Sequence, residues 1–197
     1  MAEPLADAAL DRLFRTARTY NGYHDKPVTT AQLHAIWELM KFGPTSANML
    51  PARLIWCTSQ EAKDRLAALA TDANAARIAS APVTVIIGTD MKFHENLPWL
   101  FPIMPTIGSF FASRPDHDTM ALRNSSLQGG YFILAARALG LDTGPMSGFD
   151  NAGVDAAFFT DAPDVKSNFI STLGYGDPAT IFPRSPRPDF ETFNRIA

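Results

Sequence analysis

The sequence predicts an α+β protein with a central mixed sheet, on three observations. Helical and strand patterns alternate along the chain, but long irregular connections break any regular βαβ series. The run Val83 to Gly88 (VTVIIG) is short and β-branched, as in a strand buried on both faces. A stretch from about Thr119 to Leu139 has helical length, and from Leu127 onward its apolar residues fall on most sides, as in a helix buried all round.

The first helix is expected from about Leu5 to Arg18, where Leu10, Leu13, Phe14 and Ala17 share one face. Asn21-Gly22 marks a turn after it. Thr29-x-x-Gln32 is a capping-box pattern that opens a second helix. Its stripe is Leu33, Ile36, Trp37 and Met40, and Gly43-Pro44 stops it. Arg53 to Thr58 reads as a strand, and Thr58-x-x-Glu61 opens a helix containing Leu66 and Leu69. Pro98, Pro102, Pro105 and Pro115 exclude long regular elements between 89 and 120. Phe93, Leu97, Trp99, Leu100 and Phe101 make that segment (about 89–118) a cover over a pocket rather than a solvent loop. Gly140 ends the long helix, and Gly144 and Gly148 follow in a loop. Asp150 caps a short helix through Phe159, Asn168 to Tyr175 reads as a strand, and the Pro- and Arg-rich tail from Phe182 reads as an extended arm. The whole, 1–197, is read as one domain.

Of the 197 residues, 46% are hydrophobic and only 19% charged, against roughly 25% in ordinary domains. A net charge of −3 excludes a generally basic, nucleic-acid-coating protein. The acidic start and the lack of a 20-residue apolar run argue against a signal peptide and a membrane span. The one cysteine, Cys57, excludes a disulfide framework and suits a reducing cytoplasm. In mid-strand it reads as a buried, inert thiol. His24, His34, His94 and His117 lack metal-ligand spacing, and no phosphate-binding Gly-rich loop or nucleophile elbow is present.

Three segments combine small residues with polar groups that can approach a ligand closely: Arg18-Thr19-Tyr20-Asn21, Gly43-Pro44-Thr45-Ser46-Ala47-Asn48 and Gly144-Pro145-Met146-Ser147-Gly148-Phe149. Each alone is also ordinary helix-stop chemistry. Together, in this order and followed by the Pro/Arg arm, they resemble the nitroreductase family of FMN-dependent oxidoreductases over nearly the whole chain. G-P-T-S-A-N-x-x-P-A-R and A-L-G-L-D-T-G-P-M-S-G-F-D resemble the malonic semialdehyde (3-hydroxypropionate) branch of that family, which serves pyrimidine degradation.

The resemblance implies a nitroreductase-like fold: a mostly antiparallel sheet flanked by helices, in an intertwined homodimer with exchanged C-terminal arms. Arg18 and Thr19 match the grip on the FMN phosphate and ribityl chain, a task suited to a guanidinium's bidentate bonds. Asn21 stands where the family usually carries a basic residue near the flavin ring, which bears on the flavin potential. Pro44, Thr45, Ser46 and Asn48 match a loop reaching the flavin of the opposite subunit. Asn74 matches a flavin-contacting Asn or is a helix-end cap. Pro145, Met146, Ser147 and Gly148 match the segment beside the isoalloxazine that offers an N–H to N5. Arg184 and Arg187 are candidates for a second phosphate grip, Arg187 being the better placed.

The implied activity is ping-pong hydride transfer through flavin N5, from NADH or NADPH to an acceptor. No protein acid–base group is required, and no metal. The acceptor is a small aldehyde, malonic semialdehyde, or, as in the wider family, a nitroaromatic or quinone. A non-catalytic flavin-binding protein is the alternative of another class. The low charge then fits a large apolar dimer interface.

Overall fold

The computed structural model describes residues 3–197. Four strands, β1 (Ala52–Cys57), β2 (Val83–Asp90), β3 (Asp142–Met146) and β4 (Val165–Gly174), form one sheet in the order β1-β2-β4-β3. All three pairings are antiparallel. The sheet's parallel part is a single bridge between Thr19 and Thr143. All eight residues of β2 are buried, as its unbroken apolar run requires.

Helix α1 (Asp7–Leu10) passes into a wider π turn, Asp11–Arg15, closed by the Thr16 N–H on the Asp11 carbonyl at 3.0 Å. It therefore ends short of Arg18, and Phe14, assigned to the buried stripe, is exposed. Both halves of the capping box open α2 (Thr30–Met40), although Trp37 of its stripe stays exposed. The N-cap of α3 (Gln60–Ala67) is Ser59 rather than Thr58: its side chain accepts from the Ala62 N–H, and Leu69 lies beyond the helix. An unpredicted helix, α4 (Asp72–Ser80), follows. Between 91 and 116 lie a 3-10 turn (Phe93–Asn96) and the short helices α5 (Leu97–Leu100) and α6 (Ile107–Ala112), as the prolines dictate.

The long helix α7 spans His117–Ala138 and ends at Gly140, whose φ of +81° is the left-handed stop expected of it. It is not buried all round. Leu122, Leu127 and Leu139 face outward, while the polar Asn124, Ser125 and Gln128 are buried. The segment expected as a Gly-rich loop is largely β3, because Asp142 to Met146 pair with β4 despite Gly144 and Pro145. Asp150 occupies the N-cap of α8 (Asn151–Phe158) without a side-chain capping bond. The arm is extended except for one helical turn, α9 (Phe190–Phe193).

The core has three parts. Helices α2 and α7 cover one sheet face through Ile36, Met40 and Phe132 against Val83, Val85 and Ile87. Leu66, Ile78, Val154 and Phe158 cover the other face at Cys57, Ile86 and Ile170. Met49, Phe93, Leu97, Phe111 and Met120 form a separate cluster beneath the 93–112 excursion. Among the described residues no helix is long and apolar enough to cross a membrane.

Candidate functional site

Residues 18–24 leave the π turn and wedge between β3 and the 175–180 turn. The Tyr20 N–H donates to the Thr143 carbonyl at 3.1 Å, and the His24 N–H to the Tyr175 carbonyl at 2.8 Å. The Asn21 amide donates to the Thr180 carbonyl at 2.8 Å, so its NH₂ group is already engaged. Close approach here depends on Gly144. A Cβ there would fall 2.4 Å from Thr172 Oγ1 and 2.5 Å from the Tyr20 carbonyl oxygen. Tyr23 sits behind this seam with its hydroxyl 2.7 Å from Thr172 Oγ1, and burial pushes its phenol well above the ordinary range.

The C-terminal flank of β3 meets the start of α4. The Thr71 N–H and the Asn74 side-chain amide both donate to the Gly148 carbonyl, each at 3.0 Å. Asn74 therefore fixes the 145–148 segment, from inside α4 rather than at its end. One helical turn on, Arg77 projects toward the seam.

These elements enclose a cleft of about 460 Å³ lined by Arg18, Thr19, Asn21, Arg77, Arg137, Arg184 and Arg187, with Phe14 and Phe182. Five arginines line the cleft and, among the described residues, no carboxylate does. Arg137 shows the crowding of charge. Burial pulls its guanidinium below the usual range; Asp142 opposes that, while Arg12 and Arg184 reinforce it. It is held by donating to the Leu13 carbonyl at 2.9 Å, and Arg12 donates in return to the Arg137 carbonyl at 3.0 Å. Arg18 donates to the Phe182 carbonyl, and Arg184 to the Ala17 carbonyl at 2.9 Å. Arg187, the favoured arm residue on sequence grounds, bonds to its own neighbours Ser185 and Pro186 while still lining the cleft.

Sequence reasoning missed Arg77 and Arg137. The one available signal for Arg77 was its spacing, one turn after Asn74. Arg137 stands in the last turn of a long apolar helix, where a cation suits the helix dipole anyway.

The Pro44-Thr45-Ser46-Ala47-Asn48 turn does not join this cleft within one protomer. It is pinned to α7: the Ser46 N–H donates to Asn124 Oδ1 at 2.8 Å, the Ala52 N–H to Gln128 Oε1 at 2.8 Å, and the Tyr131 hydroxyl to the Pro44 carbonyl at 2.8 Å. Ala47, Asn48 and Leu50 all have positive φ, a strained set for non-glycine residues that the surrounding bonds must hold. Asn48 donates to the Leu100 carbonyl at 2.8 Å, linking the turn to the 93–112 excursion. Arg53, which ends the P-A-R motif, donates to the Leu50 and Ala52 carbonyls at 3.0 Å and pairs with Asp90 at 2.5 Å. Its role is to brace the turn.

The chain matches the model of the Nitroreductase family over residues 14–175. A Burkholderia lata protein named "Putative NADH dehydrogenase/NAD(P)H nitroreductase" is 57% identical over 192 residues, with 98% of both chains covered. A Stenotrophomonas maltophilia protein of the same name is 54% identical over 197 residues, with both chains fully covered. Among solved structures, a "putative nitroreductase in complex with FMN" from Exiguobacterium sibiricum superposes with a TM-score of 0.87 over the whole of both chains, at 20% identity. A family match over residues 14–175, with relatives more than half identical from end to end, establishes that the chain belongs to the nitroreductase family.

Proposed function

We propose that this protein is an FMN-dependent NAD(P)H oxidoreductase whose acceptor is malonic semialdehyde. The observation that carries the cofactor assignment is the cleft lined by five arginines and, among the described residues, by no carboxylate. Such a site suits a phosphomonoester dianion, which takes charge-assisted, bidentate bonds from arginine. The FMN complex of the Exiguobacterium relative supports the same reading. Bound FMN supplies the redox chemistry, taking a hydride from NADH or NADPH and delivering it to an acceptor that then occupies the same place.

The protein's part is to bind, orient and exclude water. Arg18, Arg77 and Arg184 hold the phosphate, with Arg187 beside them. Thr19 and Asn21 border the path toward the ring, and Pro145, Met146, Ser147 and Gly148 form its wall, fixed by Asn74. Pro44, Thr45, Ser46 and Asn48, which do not line the cleft of their own chain, serve the site of a second copy. A homodimer also accounts for the outward apolar residues Phe14, Leu39, Phe42, Leu122 and Leu127. The segment from Phe93 to Phe111 is the dry cover.

The semialdehyde rests on the 43–53 and 138–150 motifs. Their support for this acceptor is their resemblance to that branch of the family; the first forms a braced turn and the second forms β3 and its flanks. Reduction adds the hydride to the aldehyde carbon and a solvent proton to its oxygen, giving 3-hydroxypropionate. A nitroaromatic or quinone acceptor is the second reading, favoured by the exposed Trp99, Ile103, Met104 and Phe110 of the cover.

The test is anaerobic. The yellow protein is bleached with NADPH or NADH, then mixed with malonic semialdehyde or a nitrofuran while flavin absorbance is followed. Rapid recovery of colour with the semialdehyde is expected. Recovery with the nitrofuran alone overturns the semialdehyde assignment, and recovery with neither leaves a non-catalytic flavin protein.

A further inference from the structure

The 44–51 turn, the 93–112 excursion and the first half of α7 pack as one unit. Met49, Phe93, Leu97, Phe111, Met120 and Ala121 form its buried cluster. Asn124 Oδ1 accepts the Ser46 N–H at 2.8 Å, and the Asn48 amide donates to the Leu100 carbonyl at 2.8 Å. The unit is almost without charge. Residues 42–52, 97–113 and 119–136 together hold one charged residue, Arg123.

That arginine is exposed, and among the described residues no hydrogen bond or ion pair engages its guanidinium. The cations at the ends of the three segments are different: Lys41, Arg53 and Arg114 are paired with Glu38, Asp90 and Asp116. Arg114 takes both oxygens of Asp116, at 2.6 and 2.9 Å. It is also the chief cause that holds this carboxyl below its ordinary range, and Arg123 adds only weakly to it. Arg123 lies on α7 beside the anchor Asn124 and one turn before the outward Leu127. A cation on a surface that a second copy would cover loses water and needs an anion in exchange. Its own chain supplies none.

We propose that Arg123 binds the carboxylate of the acceptor, in the site that the 44–48 turn completes in the second copy, and so selects acceptors that carry an acid group. The proposal rests on the reading that this turn serves the second copy's flavin. A guanidinium takes a carboxylate through two parallel bonds, and the pair is strongest where the surroundings hold no competing charge. In malonic semialdehyde the carboxylate stands two bonds from the aldehyde carbon. A grip on the acid end leaves that carbon free to take the hydride. A neutral acceptor of the same size gains nothing from Arg123.

The test compares matched acceptors with the FMN-loaded protein and NADPH, without oxygen. One pair is malonic semialdehyde and propanal, the other 4-nitrobenzoate and nitrobenzene. The quantity read is the ratio of kcat/KM for the acid to that for its neutral partner. Arg123→Gln is expected to lower this ratio by about tenfold to a hundredfold, the effect of hydrogen bonds to a charged group, and to do so through KM for the acid. Arg123→Glu sets a like charge there and is expected to lower it further. A ratio unchanged in both variants overturns the proposal. So does an equal loss for acid and neutral acceptors, which would make Arg123 a support of the fold or an ion pair between copies. A parent protein without preference for the acid in either pair overturns it as well. Turnover of the nitro pair without the semialdehyde sinks the semialdehyde assignment, and the nitro pair alone then decides Arg123. Selective loss in a protein that sediments as a monomer keeps Arg123 and sinks the second-copy reading.

Discussion

Single side chains divide sharply into those whose role is written in local sequence and those whose role comes from the fold. Arg18 and Thr19 follow a helix and precede an Asn-Gly turn, a context that marked them only together with the 43–48 and 144–149 segments and the family resemblance. Arg77 and Arg137 carry no such context, because α4 and α7 bring them to the cleft from 59 and 119 positions beyond Arg18. Arg18→Ala is expected to emerge colourless from gel filtration, whereas stoichiometric FMN in that variant would remove Arg18 from the phosphate grip. Arg184→Ala should weaken FMN more than Arg187→Ala, since Arg184 alone of the two reaches the N-terminal segment. Gly144→Ala places a methyl against a backbone oxygen and a buried hydroxyl. A loss of about 1–3 kcal/mol, seen as a lower Tm, is expected. Cys57 behaves as its mid-strand position suggests. Burial pushes its thiol from 9.0 to about 11, partly offset by Arg65. Iodoacetamide at pH 8 should leave the native protein unlabelled and label one thiol in urea. The same shift favours the folded state below the unfolded value near 9, and that contribution is lost as pH rises toward 11.

Elements were legible where hydrophobic period and capping agreed. The capping box of α2, the apolar run of β2 and the Gly140 stop of α7 all declared themselves. β3 did not, because Gly and Pro suppress strand propensity and only pairing with β4 makes this segment a strand. Alanine-rich α4 buries only Ile78 and offers no stripe. The turn at 44–51 was legible as composition but not as conformation: three left-handed residues appear only because α7 supplies Asn124, Gln128 and Tyr131 as anchors. Asn124→Ala leaves the Ser46 N–H unpaired in a part-buried place and should cost about 1–3 kcal/mol, measured by urea unfolding. A neutral result would show that the turn holds its strained form without α7.

For the whole molecule, the low charge seen in the sequence has a visible counterpart. The apolar residues of α7 were expected to be buried all round, yet several face outward and its polar residues face in. Buried Asn124, Ser125 and Gln128 bind the turn and the sheet, which displaces leucines to the outer side. Those leucines join Phe14, Leu39 and Phe42 as surface that a second copy would cover. Sedimentation at twice the 21.5 kDa protomer mass is expected, and Leu127→Glu should weaken association by at least about tenfold, the worth of one buried leucine. A monomer that retains FMN would overturn the dimer. Finally, the crossing of Arg18 with Phe182 sets an order of events during synthesis. The two residues are 164 positions apart, so a growing polypeptide finishes its sheet while the cationic cleft still lacks one wall. A phosphate grip shared by Arg18 and Arg184 would therefore be among the last parts of the molecule to assemble, after the sheet that separates them in sequence.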